Sequence, residues 1–388
     1  MPFHLYFHLP YCRRKCPYCD FFKIVPREGD RERYISALMC EINFAHRQCQ
    51  WADGPVRTVY FGGGTPSLHP PEEISAILDQ IRLLWGLADN AEITLEANPA
   101  SLSPVWLQGW RDAGVNRLSI GGQSFSARKL TMLFRDHEVH HICEAVESAR
   151  KAGFSNISLD LIFGLPGETL EELKSDLANL RMLEPEHISL YNLEFHEGTP
   201  FHRWRESGRL LPLVEDLEAD MYILIHDYLC NCNYDHYEIS NFAKPGFRSI
   251  HNSAYWQSNP YLGLGPSAHS FDGKMLRFEN IANMPAYFSA LESGHLPIAK
   301  ESHLSPQERC EEWLMLSLRL CEGVAYEDAA SQFGERQVKA LWKRAATLPS
   351  GLCNLSPQGL SLTPEGWFRE DSVFLWLIEG LKHPENVD

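Results

Sequence analysis

"HLPYCRRKCPYCDFF", residues 8–22, places three cysteines in a short segment behind an apolar run near the N-terminus. Cys12 and Cys16 are separated by three residues, and Cys16 and Cys19 by two. Three thiols are one fewer than the four ligands of a structural zinc site and an odd number for disulfide pairing. The segment therefore raises the question of what these thiols bind and what completes the site.

Three kinds of site remain open for these cysteines on the residues alone. A zinc ion would need a fourth ligand, and the nearby His8 lies inside a strand-like run. A disulfide would pair only two of them, and the eleven scattered cysteines of the chain are typical of a reducing compartment. A [4Fe–4S] cluster takes one thiolate for each iron, so three cysteines would leave one iron open to an outside ligand.

The composition excludes some classes of function. A formal net charge of −16 argues against a non-specific nucleic-acid or anionic-membrane binder, because both need a dominant basic surface. No apolar run approaches the length that crosses a bilayer, and the strand-like run from Phe3 leaves no room for a signal peptide. We therefore expect a cytoplasmic protein that meets a membrane, if at all, only through a partner.

The first half of the chain alternates short apolar, β-branched runs with longer segments of helical spacing, such as "PEEISAILDQIRLLW". This alternation predicts parallel βαβ units, arranged either as a partial barrel or as a doubly wound sheet. The predicted strands are 4–8, 57–61, 92–97, 116–120, 156–163 and 187–194.

The ends of these predicted strands carry the cysteine segment and then five further short motifs rich in glycine, proline and single polar groups. In both α/β arrangements, ligands bind at the carboxyl ends of the strands. The motifs therefore predict one ligand site around this edge; they are "GGGTP", "EANP", "GGQSF", "DLIFGLPGE" and "NLEFHEGTP".

The pattern changes after about residue 200, and Pro200–Pro212 is the predicted connection between the two parts. Residues 234–256, "YDHYEISNFAKPGFRSIHNSAYW", predict extended structure with turns. Three segments near the C-terminus have helical spacing, and "LSPQGLSLTPEGW", residues 355–367, predicts a hairpin. Together they indicate a small, mostly helical module of winged-helix type.

The spacing Cys12-x3-Cys16-x2-Cys19, with Tyr18 before the last cysteine, resembles the radical S-adenosylmethionine (radical SAM) superfamily, and the ordered strand-end motifs strengthen the resemblance. It implies a partial (β/α)6 barrel carrying a [4Fe–4S] cluster whose open iron chelates the amino and carboxylate groups of SAM. The resemblance covers a core of residues 1–235. It also implies a smaller, mostly helical C-terminal domain over residues 236–388, which begins with an extended region that contains "HNSAYW", residues 251–256 (the HNxxYW region).

Within the superfamily, the motifs are most similar to oxygen-independent coproporphyrinogen III oxidases and their relatives, the HemW-type heme chaperones. This resemblance implies the following cluster ligands and SAM contacts. The cluster would be held by Cys12, Cys16 and Cys19, and SAM by Tyr6, Tyr18, Gly63, Gly64, Thr65, Glu96, Gln123, Arg135 and Asp160.

Two departures favour the chaperone branch over the oxidase. The oxidase has a fourth cysteine two residues after the third, where this chain has Phe21, and an N-terminal extension that we do not find before the first strand. "HNSAYW", residues 251–256, resembles the HNxxYW motif of the chaperones, which makes His251 a candidate heme ligand; His269 is a weaker one.

The resemblance thus predicts a heme chaperone that binds heme, the cluster and SAM, and passes heme to an acceptor apoprotein. The alternative is a radical SAM oxidoreductase that acts on a porphyrinogen. Arg13, Arg14 and Lys15 form a basic run between the cluster cysteines, which is either a solvated surface or a docking patch for an acidic, flavodoxin-type electron donor.

Overall fold

Strands and helices alternate through the first half of the chain in the computed structural model, which describes residues 3–382. Two short 3₁₀ turns, Pro66–Leu68 and Pro99–Ser101, follow the second and third strands. In chain order the elements are β1 (Phe3–Leu9), α1 (Asp30–Gln48), β2 (Val56–Gly63), α2 (Pro71–Leu84), β3 (Leu87–Ala97), α3 (Pro104–Ala113), β4 (Arg117–Gln123), α4 (Ala127–Met132), α5 (Val139–Lys151), β5 (Ile157–Phe163), α6 (Leu170–Met182), β6 (His187–Asn192) and α7 (Pro200–Glu206).

The remaining elements are shorter strands interspersed with helices. They are α8 (Glu215–Asn231), β7 (Asp235–Glu238), β8 (Asn241–Ala243), α9 (Ile250–Trp256), β9 (Tyr261–Leu264), β10 (His269–Phe271), β11 (Leu276–Asn280), α10 (Met284–Glu292), β12 (Ile298–His303), α11 (Pro306–Leu318), β13 (Val324–Ala325), α12 (Tyr326–Phe333), α13 (Glu335–Ala345), β14 (Cys353–Leu355), β15 (Gly359–Leu362), α14 (Pro364–Phe368) and α15 (Glu370–Lys382).

Strands β1 to β6 pair in parallel, and each lies beside its neighbour in the chain. This order is that of a singly wound barrel, since a doubly wound sheet reverses its strand order at a switch point. The other edge of β1 pairs with β9, and β10, β11 and β12 continue the sheet as antiparallel strands. The predicted partial (β/α)6 barrel is therefore confirmed, with an antiparallel extension that the sequence pattern did not indicate.

The strands separate polar from apolar side chains by the two-residue period of β structure. On one face of β1 and β2, His4 shares a hydrogen bond with Thr58, and Tyr6 stacks on Tyr60. On the opposite face, Phe7 stacks on Phe61, and both are fully buried. The apolar face packs against helices, so the polar face is left to line the inside of the barrel.

Several helices begin and end at the residues that local chemistry favours. In α3, the Ser103 hydroxyl accepts a hydrogen bond from the Trp106 backbone, Pro104 occupies the first turn, and Gly114 ends the helix with a φ of 114°. In α6, Thr169 and Glu172 form a reciprocal capping box. The boundaries of these helices can therefore be predicted from the sequence.

Cα packing divides the chain into two compact units that do not coincide with the predicted boundary after residue 235. The first unit comprises the chain up to Leu213 together with Ser249–His251 and Asn259–His303. The second comprises Val214–Arg248, Asn252–Ser258 and the chain from Leu304. In the second unit, β14 and β15 form a hairpin, β13 pairs with β15, and helices α11 to α15 make it mostly helical. The hairpin predicted for residues 355–367 is therefore confirmed only in its first part, because Pro364–Phe368 form helix α14.

One segment differs from its predicted conformation. Residues 250–256 of the HNxxYW region form helix α9, whereas the sequence pattern predicts extended structure. The Glu92 carboxylate of β3 accepts hydrogen bonds from the backbone N–H groups of Ile250 and His251. A carboxylate at these positions satisfies donors that a helix start leaves unpaired, and this partner lies far away in sequence.

Over residues 3–382, none of the helices combines the length and the apolar character needed to cross a bilayer.

Candidate functional site

The segment that carries the cysteines is held by backbone hydrogen bonds on two sides. Gly64 and Thr65, at the end of β2, donate to the carbonyls of Leu9 and Tyr11, each at 2.8 Å. Cys12 donates to the carbonyl of Ile24 at 2.9 Å. These bonds fix the loop against the carboxyl end of the barrel, as predicted, and bury the first cysteine.

The three cysteines line one small cavity of about 70 Å³, together with Tyr18, Thr65 and Arg135. Within the described part of the chain, only His140, His141 and Glu144 bring three metal-ligating atoms within 4.8 Å of one another. A single zinc ion with sulfur ligands at about 2.3 Å would need thiolates closer than that. The cysteine sulfurs stand too far apart for one ion, whereas a four-iron cube spreads its thiolates over separate irons.

The structure also removes His8 as a fourth zinc ligand. Its Nε2 donates to the carbonyl of Phe22 at 2.6 Å, so its Nδ1 is the acceptor for the Tyr6 hydroxyl at 3.2 Å. Both ring nitrogens are therefore engaged, and burial lowers the pKa of His8 to about 4. The open alternative of a zinc site with His8 is thus disfavoured, and the donor set fits a cluster with one open position.

Hydrogen-bond donors surround the cysteine sulfurs. The Thr65 hydroxyl donates to Sγ of Cys12 at 3.5 Å, and Nη1 of Arg135 donates to Sγ of Cys16 at 3.9 Å. Lys23 Nζ donates to the backbone carbonyl of Cys19 at 2.5 Å. Burial raises the pKa of the Cys12 and Cys19 thiols, and these donors and cations oppose that shift by favouring thiolates.

A larger cavity of about 400 Å³ shares Tyr18, Cys19, Gly64, Thr65 and Arg135 with the cysteine cavity. It therefore opens beside the thiols, at the carboxyl ends of the barrel strands. Most of the predicted SAM-binding residues line it, and these are Tyr18, Gly63, Gly64, Thr65, Glu96, Gln123, Arg135 and Asp160.

Two half-buried carboxylates form part of the cavity wall. Glu96 accepts a hydrogen bond from the Tyr60 hydroxyl at 2.8 Å, and burial raises its pKa to about 7. Asp160 accepts hydrogen bonds from the hydroxyls of Ser119 and Ser158 at 2.9 and 3.0 Å, and burial raises its pKa as well. The cavity thus presents acceptors suited to ammonium or hydroxyl donors.

Gln123 and Arg135 hold polar atoms that no protein partner satisfies. Gln123 ends β4 with a φ of 59°, and its Oε1 is buried without a hydrogen bond. Arg135 donates through Nη2 to the Gly121 carbonyl at 3.0 Å, while its buried Nε has no partner. Orphaned buried polar atoms and a left-handed residue are both concentrated at ligand sites. The residues present therefore fit the small zwitterion, SAM, that the resemblance implies.

Gly64 lies where two backbone segments approach too closely to leave room for a side chain. A Cβ at this position would lie 2.6 Å from the carbonyl carbon of Pro10 and 2.7 Å from the oxygens of Leu9 and Tyr11. These are backbone atoms and cannot rotate away as a side chain could. The glycine therefore allows the cysteine loop to rest directly on the end of β2.

Tyr6 and His251 line neither cavity but stack on Tyr60, which does line the larger one. Tyr6 stacks on Tyr60, which in turn stacks on the His251 ring at 4.9 Å and hydrogen-bonds Glu96. His251 is 1% exposed, and its Nδ1 shares a hydrogen bond with Thr58 at 2.6 Å. The ligand role predicted for His251 would therefore require this part of the structure to open, and it stays a prediction.

Several residues that line the larger cavity were not singled out by the sequence analysis. Strand-end position is the signal that could have found most of them, because the motifs "EANP" and "NLEFHEGTP" already lay at this edge. Phe21 also lines the cavity and is 62% exposed. From the sequence, it was notable only because it replaces the oxidase's fourth cysteine. The missed residues are Asp20, Tyr60, Pro66, Ala97, Asn98, Ser119, Gly121, Ile162, Tyr191, Asn192, Leu193, Glu194 and His196.

Two family models match the chain. The radical SAM superfamily matches residues 6–180, and the HemN C-terminal domain matches residues 304–369. The solved structure of the coproporphyrinogen III oxidase HemN from Escherichia coli superposes with a TM-score of 0.82 over 97% of this chain and 90% of that chain. At 23% sequence identity, this likeness concerns the fold.

Curated relatives match over nearly the whole chain. The heme chaperone HemW of Synechocystis sp. is 38% identical over 90% of this chain and 85% of its own length. The heme chaperone HemW of Bacillus subtilis is 34% identical over 95% of this chain and 97% of its own length. A mitochondrial radical S-adenosyl methionine domain-containing protein of Danio rerio is 32% identical over 95% of this chain.

Proposed function

Because this chain belongs to the HemW family of heme chaperones within the radical SAM superfamily, we propose that it binds heme and transfers it to an acceptor apoprotein. The observation that carries the proposal is the 34–38% identity to heme chaperones over 90–95% of the chain. Phe21, in place of the oxidase's fourth cysteine, supports carrying heme over making its precursor.

The cluster would be held by Cys12, Cys16 and Cys19, and SAM by the residues that line the larger cavity. A cluster held there would supply one-electron redox chemistry next to the SAM site. Arg135 would bind the SAM carboxylate through charge-assisted hydrogen bonds, and Gln123 a further polar group. Glu96 would accept from the ammonium, and Asp160 from the ribose hydroxyls.

Backbone and aromatic groups complete this proposed SAM site. Gly63, Gly64 and Thr65 let the backbone approach the amino end of SAM closely. Tyr18 would contact SAM beside the cluster. Tyr6, predicted as a direct contact, does not line the cavity and would act by supporting Tyr60, on which it stacks.

SAM affinity is expected to rise with pH between pH 6 and 7.5, because only the ionised Glu96 accepts from an ammonium group. With a pKa of about 7 in the free protein, Glu96 would be roughly one-tenth ionised at pH 6, so binding there should be weaker by roughly tenfold than its limiting value. Isothermal titration calorimetry measures this change. Binding at pH 7 should also release roughly half a proton.

The matched control is Glu96→Gln, which keeps the shape of the side chain but cannot ionise. Its SAM affinity should be weak and nearly constant over the same pH range, where the ligand's own α-amino group stays largely protonated. Equal pH dependence in the wild-type and E96Q proteins would exclude Glu96 as the titrating acceptor.

We also propose that Arg13, Arg14 and Lys15 form the docking patch for a flavodoxin-type electron donor. All three are exposed beside the cluster cysteines, and two are held in place: Arg13 donates to the Ala100 carbonyl and Arg14 to that of Arg135. Replacing the three by glutamine should slow cluster reduction by flavodoxin roughly tenfold at low salt, because steering by charge is lost.

Stopped-flow absorbance of the cluster measures this rate, with dithionite as the small-molecule comparison. Reduction by dithionite should be unchanged in the triple variant. Replacing three cations of α13, Arg336, Lys339 and Lys343, by glutamine provides a control with the same change in net charge. An equal loss of rate in both triple variants would contradict a local docking patch.

We place the protein in the cytoplasm, with any membrane-bound acceptor reached through a protein partner.

The proposal that the chain binds heme is tested by adding heme to anaerobically reconstituted protein and following the Soret band. A saturable shift at about one heme per chain is expected. Unshifted, non-saturable absorbance would contradict heme binding.

A further inference from the structure

His196 is the single histidine among the residues that line the larger cavity. It follows β6, and its side chain is 42% exposed. Its backbone is fixed, since the carbonyl of His196 accepts from both the hydroxyl and the N–H of Thr199, the N-cap of α7. The imidazole therefore projects from a held backbone and remains accessible to a large ligand.

Two carboxylates flank the His196 ring. Nε2 lies 3.2 Å from Glu194 Oε2 and Nδ1 lies 3.9 Å from Asp20 Oδ2, and neither contact has the geometry of a hydrogen bond. A metal-ligating histidine almost always donates its other ring N–H to a carboxylate, carbonyl or water, which orients the ring and raises its basicity. Glu194 lies close enough to accept such a bond after a small rotation of either side chain, which would leave Nδ1 of His196 to coordinate.

Exposed apolar side chains line the same cavity. Phe21 is 62% exposed and Tyr191 44% exposed, and Leu193 and Ile162 line the cavity with them. Large aromatic faces at a cavity are favourable surfaces for a flat apolar ligand, because its burial removes their contact with water. A porphyrin macrocycle has this shape and also requires an axial ligand for its iron.

We propose that His196 is the axial ligand of heme iron in this chain, with the macrocycle lying against Phe21 and Tyr191. This rests on the proposed heme-binding function and assigns its site. The competing assignments are His251, which is 1% exposed, and His269, whose side chain is 63% exposed but belongs to β10 and does not line the cavity. Heme would thus contact residues of the larger cavity that the proposed SAM site does not use.

The test is a heme titration of anaerobically reconstituted wild-type, His196→Ala, His251→Ala and His269→Ala proteins, read by Soret absorbance and electron paramagnetic resonance. H196A should weaken heme binding at least tenfold and change the axial-ligand signal of the bound heme. Adding free imidazole to H196A should restore the signal. His269 is the matched control, because it is also an exposed histidine beside a carboxylate, Glu279 at 3.7 Å.

The possible outcomes distinguish the assignment of His196 as the axial ligand from the proposed heme-binding function itself. Wild-type affinity and spectrum in H196A, with loss in H251A or H269A, would overturn the assignment of His196 and leave the heme-binding function standing. An equal loss in H196A and H269A would also overturn it. Failure of the wild-type protein to bind heme would instead overturn the proposed function. Because His196 is exposed, its truncation should change stability by less than about 0.5 kcal/mol, which thermal unfolding checks.

Discussion

Replacing Cys12, Cys16 or Cys19 singly by alanine is expected to abolish the iron–sulfur cluster. Each thiolate would hold a different iron of the cube, and the fourth iron would already be without a protein ligand. A second missing ligand would leave half of the irons unheld by the protein. Anaerobic reconstitution should give about four irons and four sulfides per wild-type chain, with brown colour, and colourless protein with little iron in each variant.

Cys143→Ala is the matched control for these variants, because Cys143 is a free and exposed cysteine on α5. It should retain the full cluster. Wild-type iron and sulfide content in any of the three site variants would remove that cysteine from the ligand set. Colourless wild-type protein that holds one tightly bound zinc would contradict the cluster itself.

Gly64→Ala is expected to have the second-largest effect, although it adds only one methyl group. The new Cβ would stand 2.6–2.7 Å from backbone atoms of residues 9–11, so the cysteine loop must shift away from β2. Overpacking of this kind costs about 1–3 kcal/mol in the free energy of unfolding. A displacement of the loop would also misplace bound SAM relative to the thiols, and SAM affinity should fall at least tenfold.

Gly122→Ala provides the comparison within the same barrel edge. Its Cβ would meet only the Ile142 side chain, at 3.4 Å, which is ordinary contact. Calorimetric SAM binding and thermal unfolding should therefore remain close to wild type in G122A. If G64A binds SAM and reconstitutes its cluster as well as G122A does, the contact between the loop and β2 does not position the site.

The barrel could be predicted from sequence because its signals are local. Strands β1 to β6 repeat an apolar two-residue alternation, and α3 and α6 carry their caps within four residues of their starts. The edge that carries the site followed from topology, since parallel strands bring their carboxyl ends together. The cluster and SAM were predicted only from the resemblance of the three-cysteine spacing to the radical SAM superfamily, because hydrophobic periodicity carries no information about cofactors.

Long-range contacts explain what the sequence did not predict. Helix α9 is capped by Glu92, more than 150 residues away, so its own residues suggested extended structure. The pairing of β9 with β1 joins residues 259–303 to the barrel unit, which no local pattern indicates. His196 and Phe21 become neighbours of one cavity only when β6 and the cysteine loop meet in space.

Turnover of coproporphyrinogen III distinguishes a heme chaperone most directly from the alternative, a radical SAM oxidoreductase acting on a porphyrinogen. Reconstituted protein is incubated anaerobically with coproporphyrinogen III, SAM and reductant, and the products are quantified by chromatography, while the same preparation is titrated with heme. We predict unchanged coproporphyrinogen III together with a saturable Soret shift. Catalytic conversion to protoporphyrinogen, without heme binding, would contradict the chaperone function.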